Sequence, residues 1–287
     1  MTSAEQAQQR VRTRTTAAEA TRPPQRRVDW GRVALGTFSG LVLFFLVAPV
    51  LIVIPMSFSA GSSLSFPPTG FSLQWYENFF GRADWTSAAI QSFRVAAAVT
   101  VLATIIGTMA SLALVRGRFR GKQVINILLL SPIIVPSIVI AIAVFGIYST
   151  LQLTGTYIGL VLGHTVFALP FVVIVITATL RGFDMTLEHA ANNLGANPLQ
   201  TFRYVTLPII APGVFAGALF AFVASFDELI ISLFIAGAQN RTLPLRMFEG
   251  LRLEIDPTIA AVSTMMTVLT VSAFGCAEIL RRRAGGE

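Results

Sequence analysis

Two adjacent acids inside an apolar stretch, Asp227 and Glu228, are the strongest chemical signal in the chain. A carboxylate left unpaired in hydrocarbon costs several kcal/mol, so the pair demands a polar partner or a polar path. They lie about twenty residues beyond Leu207, and a rise of about 1.5 Å per residue puts them in the half of a bilayer remote from it. Helical neighbours point about 100° apart, so one acid can face a path while the other meets a neighbouring helix. A cation in passage would be attracted to them, which makes Ser225, Asp227 and Glu228 the substrate-path candidates. The structural alternative is an internal ion pair, to Arg241, to Arg246 or to a partner subunit.

Other reactive side chains are isolated. His164 has no second histidine or carboxylate at metal-ligand spacing, which suits a packed or hydrogen-bonded core histidine. The single cysteine, Cys276, excludes an internal disulfide and a cysteine metal cluster. Walker glycine loops, nucleophile elbows and metal-binding motifs are absent from the sequence. The expectation is a chain that performs no catalysis, binds no cofactor of its own and holds no metal.

Composition identifies the solvent around these residues. Of 287 residues, 54% are hydrophobic and only 12% charged, against about 25% charged in soluble domains. Long charge-free intervals alternate with basic clusters, and a bilayer core needs about 20 apolar residues per helix. The intervals predict an all-α polytopic membrane protein with about six transmembrane helices, near 33–58, 88–115, 125–151, 158–180, 207–236 and 257–279. Continuous apolar runs such as 41–54 exclude the alternation of a β-barrel. Pro49, Pro132, Pro136, Pro170 and Pro212 fall inside these spans and bend them, either for packing or to shape a path. Glycines 155, 159 and 163 repeat at four-residue intervals and predict a close-packing helix face.

The net charge of +7 is distributed as a topology signal and not as a nucleic-acid site. Arginines crowd the tail before the first span, the 116–122 connection, the fourth connection and the C-terminus, which places both termini in the cytoplasm. Residues 1–29 are polar and basic with little to bury, and are expected to form a disordered cytoplasmic tail. Residues 30–287 form the membrane domain, with a cytoplasmic loop at 181–206. Trp75, Tyr76, Phe79, Phe80 and Trp85 suit an interfacial amphipathic segment on the outer face.

The fourth connection has internal structure of its own. Glu188, His189, Ala190 and Ala191 belong to a short helix that Gly195 can end in the left-handed conformation. Asn197 then stands at an N-cap, with Pro198 at the first position of a second short helix. Phe202 and Val205 are apolar and close enough on that helix to seat it against something.

This stretch resembles the EAA loop of permease subunits in binding-protein-dependent ABC importers. The resemblance is carried by Ala190 and Ala191, by Gly195 four residues on, by Phe202 to Thr206, and by Leu207-Pro208. It implies that the segment about Gly195, Ala196 and Phe202 docks on a cytoplasmic ATPase. The sequence departs from the pattern at one point: His189 occupies the family's glutamate position, and Glu188 comes one residue early. Neutral histidine cannot replace a carboxylate against an arginine. Either Glu188 supplies that charge, or the pair is absent and Glu188 caps or solvates its helix.

A second resemblance covers most of the membrane region. Ser225-Phe226-Asp227-Glu228, Arg241-Thr242-Leu243-Pro244 and Asp256-Pro257-Thr258 are similar to the spermidine/putrescine permease subfamily. It implies a type I ABC importer permease in the bacterial inner membrane, paired with a related permease. The same resemblance implies two ATPase subunits that use ATP and Mg, and an extracytoplasmic binding protein in which selectivity mainly resides. Competing readings are the same importer carrying another small solute (an amino acid, opine, phosphonate or metal complex), and a secondary transporter or channel acting alone. A membrane-bound enzyme would need a catalytic constellation that the sequence lacks.

Overall fold

The computed structural model describes residues 30–253 and 257–284, so the basic tail 1–29 lies outside the described residues. The chain divides into two units, 1–49 and 50–287. The first described helix, α1 (Trp30–Met56), carries Arg32 near its start and no other charged residue, with no acidic residue in its first turn and no basic residue in its last.

Eleven further helices follow among the described residues. A short amphipathic α2 (Gln74–Gly81) precedes the long α3 (Ala83–Arg116). Next come α4 (Lys122–Ile134) and α5 (Ser137–Thr150), then α6 (Tyr157–Arg181). Two short helices, α7 (Thr186–Asn193) and α8 (Pro198–Thr201), lead through a π-helical turn (Phe202–Thr206) into α9 (Leu207–Phe226). The chain ends with α10 (Ile230–Ile235), α11 (Leu243–Leu253) and α12 (Thr258–Ala284). Five stretches are long and apolar enough to cross a membrane: Gly31–Met56, Ala83–Arg116, Tyr157–Arg181, Pro198–Phe226 and Thr258–Cys276.

The expected third span is broken instead of straight. Helices α4 and α5 are bent by 110° at Val135-Pro136. Proline lacks an amide hydrogen and pushes the preceding residue out of the helical region, and Val135 is extended accordingly (φ −77°, ψ 132°). The pair still carries the chain across once, because α3 and α6 run parallel. Near one end the Tyr157 hydroxyl donates to the Arg94 carbonyl (3.0 Å). Further along, the Ser111 hydroxyl donates to the Val173 carbonyl (3.3 Å). At the other end the Arg116 guanidinium lies over the Phe183 ring, 5.6 Å from its centroid. Residues 117–156 must therefore return the chain to the face from which α3 began.

Helices α3, α6 and α9 form the centre, with α9 antiparallel to α6. Val95, Val99 and Ala103 of α3 meet Leu160, Ala168, Val172 and Ile176 of α6 and Ile210 and Ala221 of α9, all buried. Lipid is as apolar as these side chains, so close packing rather than exclusion of water has to hold the helices together. Glycines allow it. A Cβ at Gly213 would sit 2.1 Å from Thr179 Oγ1, and one at Gly107 would sit 2.6 Å from Val172 Cγ1.

The glycine row expected at 155, 159 and 163 does not form one helix face. Gly155 precedes α6 and has φ +76°, while Gly159 backs onto the Leu153 carbonyl and only Gly163 packs against a neighbouring helix, at Ile231 and Ile235. Among the expected interfacial aromatics, Trp85 is fully buried in α3, while Trp75 donates to the Ser59 carbonyl (2.8 Å) and Tyr76 shares a hydrogen bond with Ser57 (2.7 Å).

Candidate functional site

Two regions gather the chemically active residues, one at each end of α9. At its start, α7, α8 and the π-helical turn make a compact hairpin. Asp184 accepts from the Thr186 amide (2.9 Å), a bond that holds its carboxyl below the usual carboxylate range. At the other end of α7, Gly195 takes φ +85°. The Ala196 amide then donates to Ala191 (3.1 Å) and the Gly195 amide to Asn192 (3.0 Å), a Schellman closure. Asn197 and Gln200 form a capping box around α8 (2.9 Å each way), with Pro198 at its start. Thr201 donates to the Asn192 side chain (3.0 Å) and joins the two helices.

The hairpin's other residues divide sharply by direction. Glu188 is buried, with 8% of its surface exposed, and its carboxylate takes both the Arg116 guanidinium and the Thr206 hydroxyl. His189 and Ala190 are exposed, Ala191 and Ala196 half-buried. Phe202 and Leu207 line an apolar cavity of about 350 Å³ with Thr104, Thr108 and Val214, and Pro208 is exposed. Leu194 and Leu199 project from the hairpin with 90% and 74% of their surfaces open.

Arg116, Thr206, Leu194 and Leu199 are the residues that sequence reasoning missed. A basic residue at the last position of a long span, across the bundle from a lone loop glutamate, was the available signal for Arg116.

At the far end of α9 the expected 207–236 span stops short. Its helix ends at Phe226, Asp227 caps it outside helical geometry (φ −94°, ψ 1°), and α10 begins only at Ile230. The two acids separate here. Asp227 is exposed, whereas Glu228 is buried and its carboxylate accepts from the Ile231 amide (3.0 Å), capping α10.

Behind them, the fully buried His164 of α6 bridges the break. A carbonyl only accepts, so Nδ1 carries the hydrogen that goes to the Ser225 carbonyl (3.1 Å), and Nε2 accepts from the Ser232 hydroxyl (3.0 Å). Ser225 is buried within this network and its hydroxyl also lies 3.1 Å from Nδ1.

The two arginines considered as partners for the acids are engaged elsewhere. Arg246 holds Asp84 through Nε (3.0 Å) and Nη2 (2.8 Å), and Arg241 approaches Glu249 (3.4 Å). Arg94, Arg241, Arg246 and Asp84 line a cavity of about 410 Å³ on that same face. Among the described residues, no group of three or more His, Cys, Asp or Glu could hold a metal ion.

These features define a class: a helical membrane subunit whose polar residues bind helices together and which presents a stiff polar hairpin with an apolar tip. Residues 103–286 match the family of binding-protein-dependent transport system inner membrane components. The chain belongs to that family.

It is similar to the spermidine/putrescine transport system permease protein PotC of Haemophilus influenzae, 33% identical over 86% of this chain and 95% of that one. The putrescine transport system permease protein PotI of Escherichia coli is 33% identical over 77% and 81% of the two chains. A trehalose transport system permease protein, SugB of Mycobacterium tuberculosis, is 30% identical over 79% and 86%.

The fold resembles that of a bacterial ABC transporter involved in alginate import, with a TM-score of 0.71 at 15% identity over 90% of this chain and 99% of the other. The protein is therefore a multi-pass inner-membrane permease of a binding-protein-dependent importer, a transport subunit and not an enzyme.

Proposed function

We propose that the chain is one of two related permeases in an importer of polyamines such as putrescine and spermidine. Both termini lie in the cytoplasm on this reading, two ATPase subunits seat against the 186–206 hairpin, and an extracytoplasmic binding protein delivers solute to the opposite face. ATP and Mg belong to the ATPase subunits, and this chain binds no cofactor.

The observation that carries the docking side is the hairpin itself. A segment closed by a Schellman turn and a capping box, with Leu194 and Leu199 exposed beside polar surface, is built to be held by another protein. Closure of the ATPases on ATP would move the hairpin, and the helix bundle would rock between two openings. Polyamine cargo is supported by the two polyamine permeases among the relatives and by the exposed Asp227, the one acid of its pair free to meet a passing cation.

A second reading keeps the importer and changes the solute. The trehalose permease at nearly the same identity favours it, as does the arginine-lined cavity, which would repel a polycation.

Uptake of labelled putrescine and spermidine in a strain lacking the gene separates the two. Polyamine cargo requires that uptake be lost and that the wild-type gene restore it, with Asp227→Asn restoring less. Undiminished uptake in the deletion strain, with no redundant importer present, would rule polyamines out and leave the importer class standing.

A further inference from the structure

We propose that Glu188 does not meet the ATPase but is the positioning residue that ties the docking hairpin to α3 and α9. It makes a push on the hairpin a push on both helices. The inference rests on the reading of 186–206 as the ATPase seat, and it deepens that reading by naming the link behind the seat.

Three separate pieces of chain converge at this one carboxylate. Glu188 stands on α7 and is turned inward, while its neighbour His189 faces out. Its Oε1 takes the guanidinium of Arg116, the last residue of α3, and the hydroxyl of Thr206, the fully buried last residue of the π-helical turn. Arg116 in turn lies over Phe183, in the link between α6 and α7.

The end of α3 that receives the pair is itself fastened. The Gly117 amide donates to the Ala113 carbonyl (2.9 Å), and Lys122 Nζ donates to the Gly117 carbonyl (3.1 Å). Of the hairpin's other side-chain hydrogen bonds, Thr201 to Asn192, Thr206 to the Thr201 carbonyl and the capping box stay within it, and the Thr186 amide reaches only to Asp184 just before it. Apolar contacts can slide under load, whereas separating a largely buried ion pair leaves an uncompensated charge, so the Arg116–Glu188 contact resists being pulled apart. A buried carboxylate held by two elements therefore transmits a small movement that packing alone would absorb.

The test uses the whole transporter in proteoliposomes: this chain, its partner permease, the ATPase subunits and the binding protein, with labelled putrescine as solute. Glu188→Gln keeps the shape and removes the charge. ATPase subunits should stay bound through purification and hydrolysis should remain near the wild-type rate, while putrescine delivered per ATP falls by about tenfold. Arg116→Glu should do the same, and the exchanged pair Glu188→Arg with Arg116→Glu should recover most of the loss. A merely structural role would lower the yield of folded complex and leave the ratio of solute to ATP unmoved.

A wild-type ratio in Glu188→Gln overturns the proposal. So does release of the ATPase subunits from that variant, since Glu188 would then be an ATPase contact. The docking reading has its own readout, because Leu194→Asp should shed the ATPase subunits. If it retains them, the seat lies elsewhere and the proposed link loses its purpose with it.

Discussion

The two ends of α9 solve the same problem with opposite reach. Each carries a polar pair in which one member turns inward and its neighbour outward: Glu188 with His189 at the hairpin, Glu228 with Asp227 at the break. At the hairpin the buried carboxylate spans the bundle, from α7 to the end of α3 and the start of α9. At the break it reaches only three residues ahead, to the Ile231 amide, and His164 supplies the cross-link between helices through two serines. A charged side chain that must move with its surroundings is thus paired to a cation on another helix. One that only shapes a turn is satisfied by backbone. The outward residues, His189 and Asp227, are left free to meet something else.

Removing the inward carboxylates tests this contrast most severely. Glu188→Ala leaves the Arg116 guanidinium, three-quarters buried, without its counter-ion, and should lower the folded protein's stability by about 3 kcal/mol. Glu228→Ala removes a single cap and should cost about 1 kcal/mol. Thermal unfolding in the same detergent compares them, and equal losses would erase the distinction drawn between the two ends.

A smaller effect is expected at Gly195. Its φ of +85° suits glycine, so Gly195→Ala should destabilise the hairpin by about 1 kcal/mol. Faster amide hydrogen exchange confined to 186–206 would show it, and unchanged exchange there would mean that the turn does not fix the hairpin's shape.

The outward residues should matter least to folding. His189→Ala and Asp227→Asn should each leave stability within about 0.5 kcal/mol of wild type, with any loss seen in transport alone. A large drop in melting temperature for either would show that the outward side chain supports the fold after all.

Much of this was legible before any coordinates. Charge-free intervals located the membrane segments, because apolar length is a physical requirement of the bilayer and is written directly in the sequence. Gly195, Asn197 and Pro198 announced the hairpin's turns, since caps and left-handed turns depend on residues within a few positions of one another.

What escaped was long-range or a matter of degree. Pro136 signalled a bend, but whether a proline deflects a helix slightly or by 110° depends on what packs around it. The fifth span was read through to residue 236, because Ile230 to Ile235 is as apolar as the helix before it. The acids at 227 and 228 end α9 by capping rather than by any loss of hydropathy. The pairing of Arg116 with Glu188 joins connections on either side of two membrane passages, and neither side carries a local mark of the other.

The π-helical turn between Phe202 and Thr206 has a consequence for how such a protein can change over generations. Its closing bond runs from the Leu207 amide to the Phe202 carbonyl, five residues back, so the segment holds one residue more than a regular helix would there. Deleting any one of those five residues would let the stretch close as ordinary helix. Everything before it would keep nearly the same bearing about the axis of α9, whereas the same deletion within the regular helix that follows would swing it by about 100°. A one-residue gap here would leave the hairpin's face toward Arg116, whereas one lost from the first turns of α9 would turn that face away and redirect Leu194 and Leu199 together. The turn is therefore a place where the chain can lose one residue over generations while the hairpin keeps its angle, a tolerance that the regular helix after it does not share.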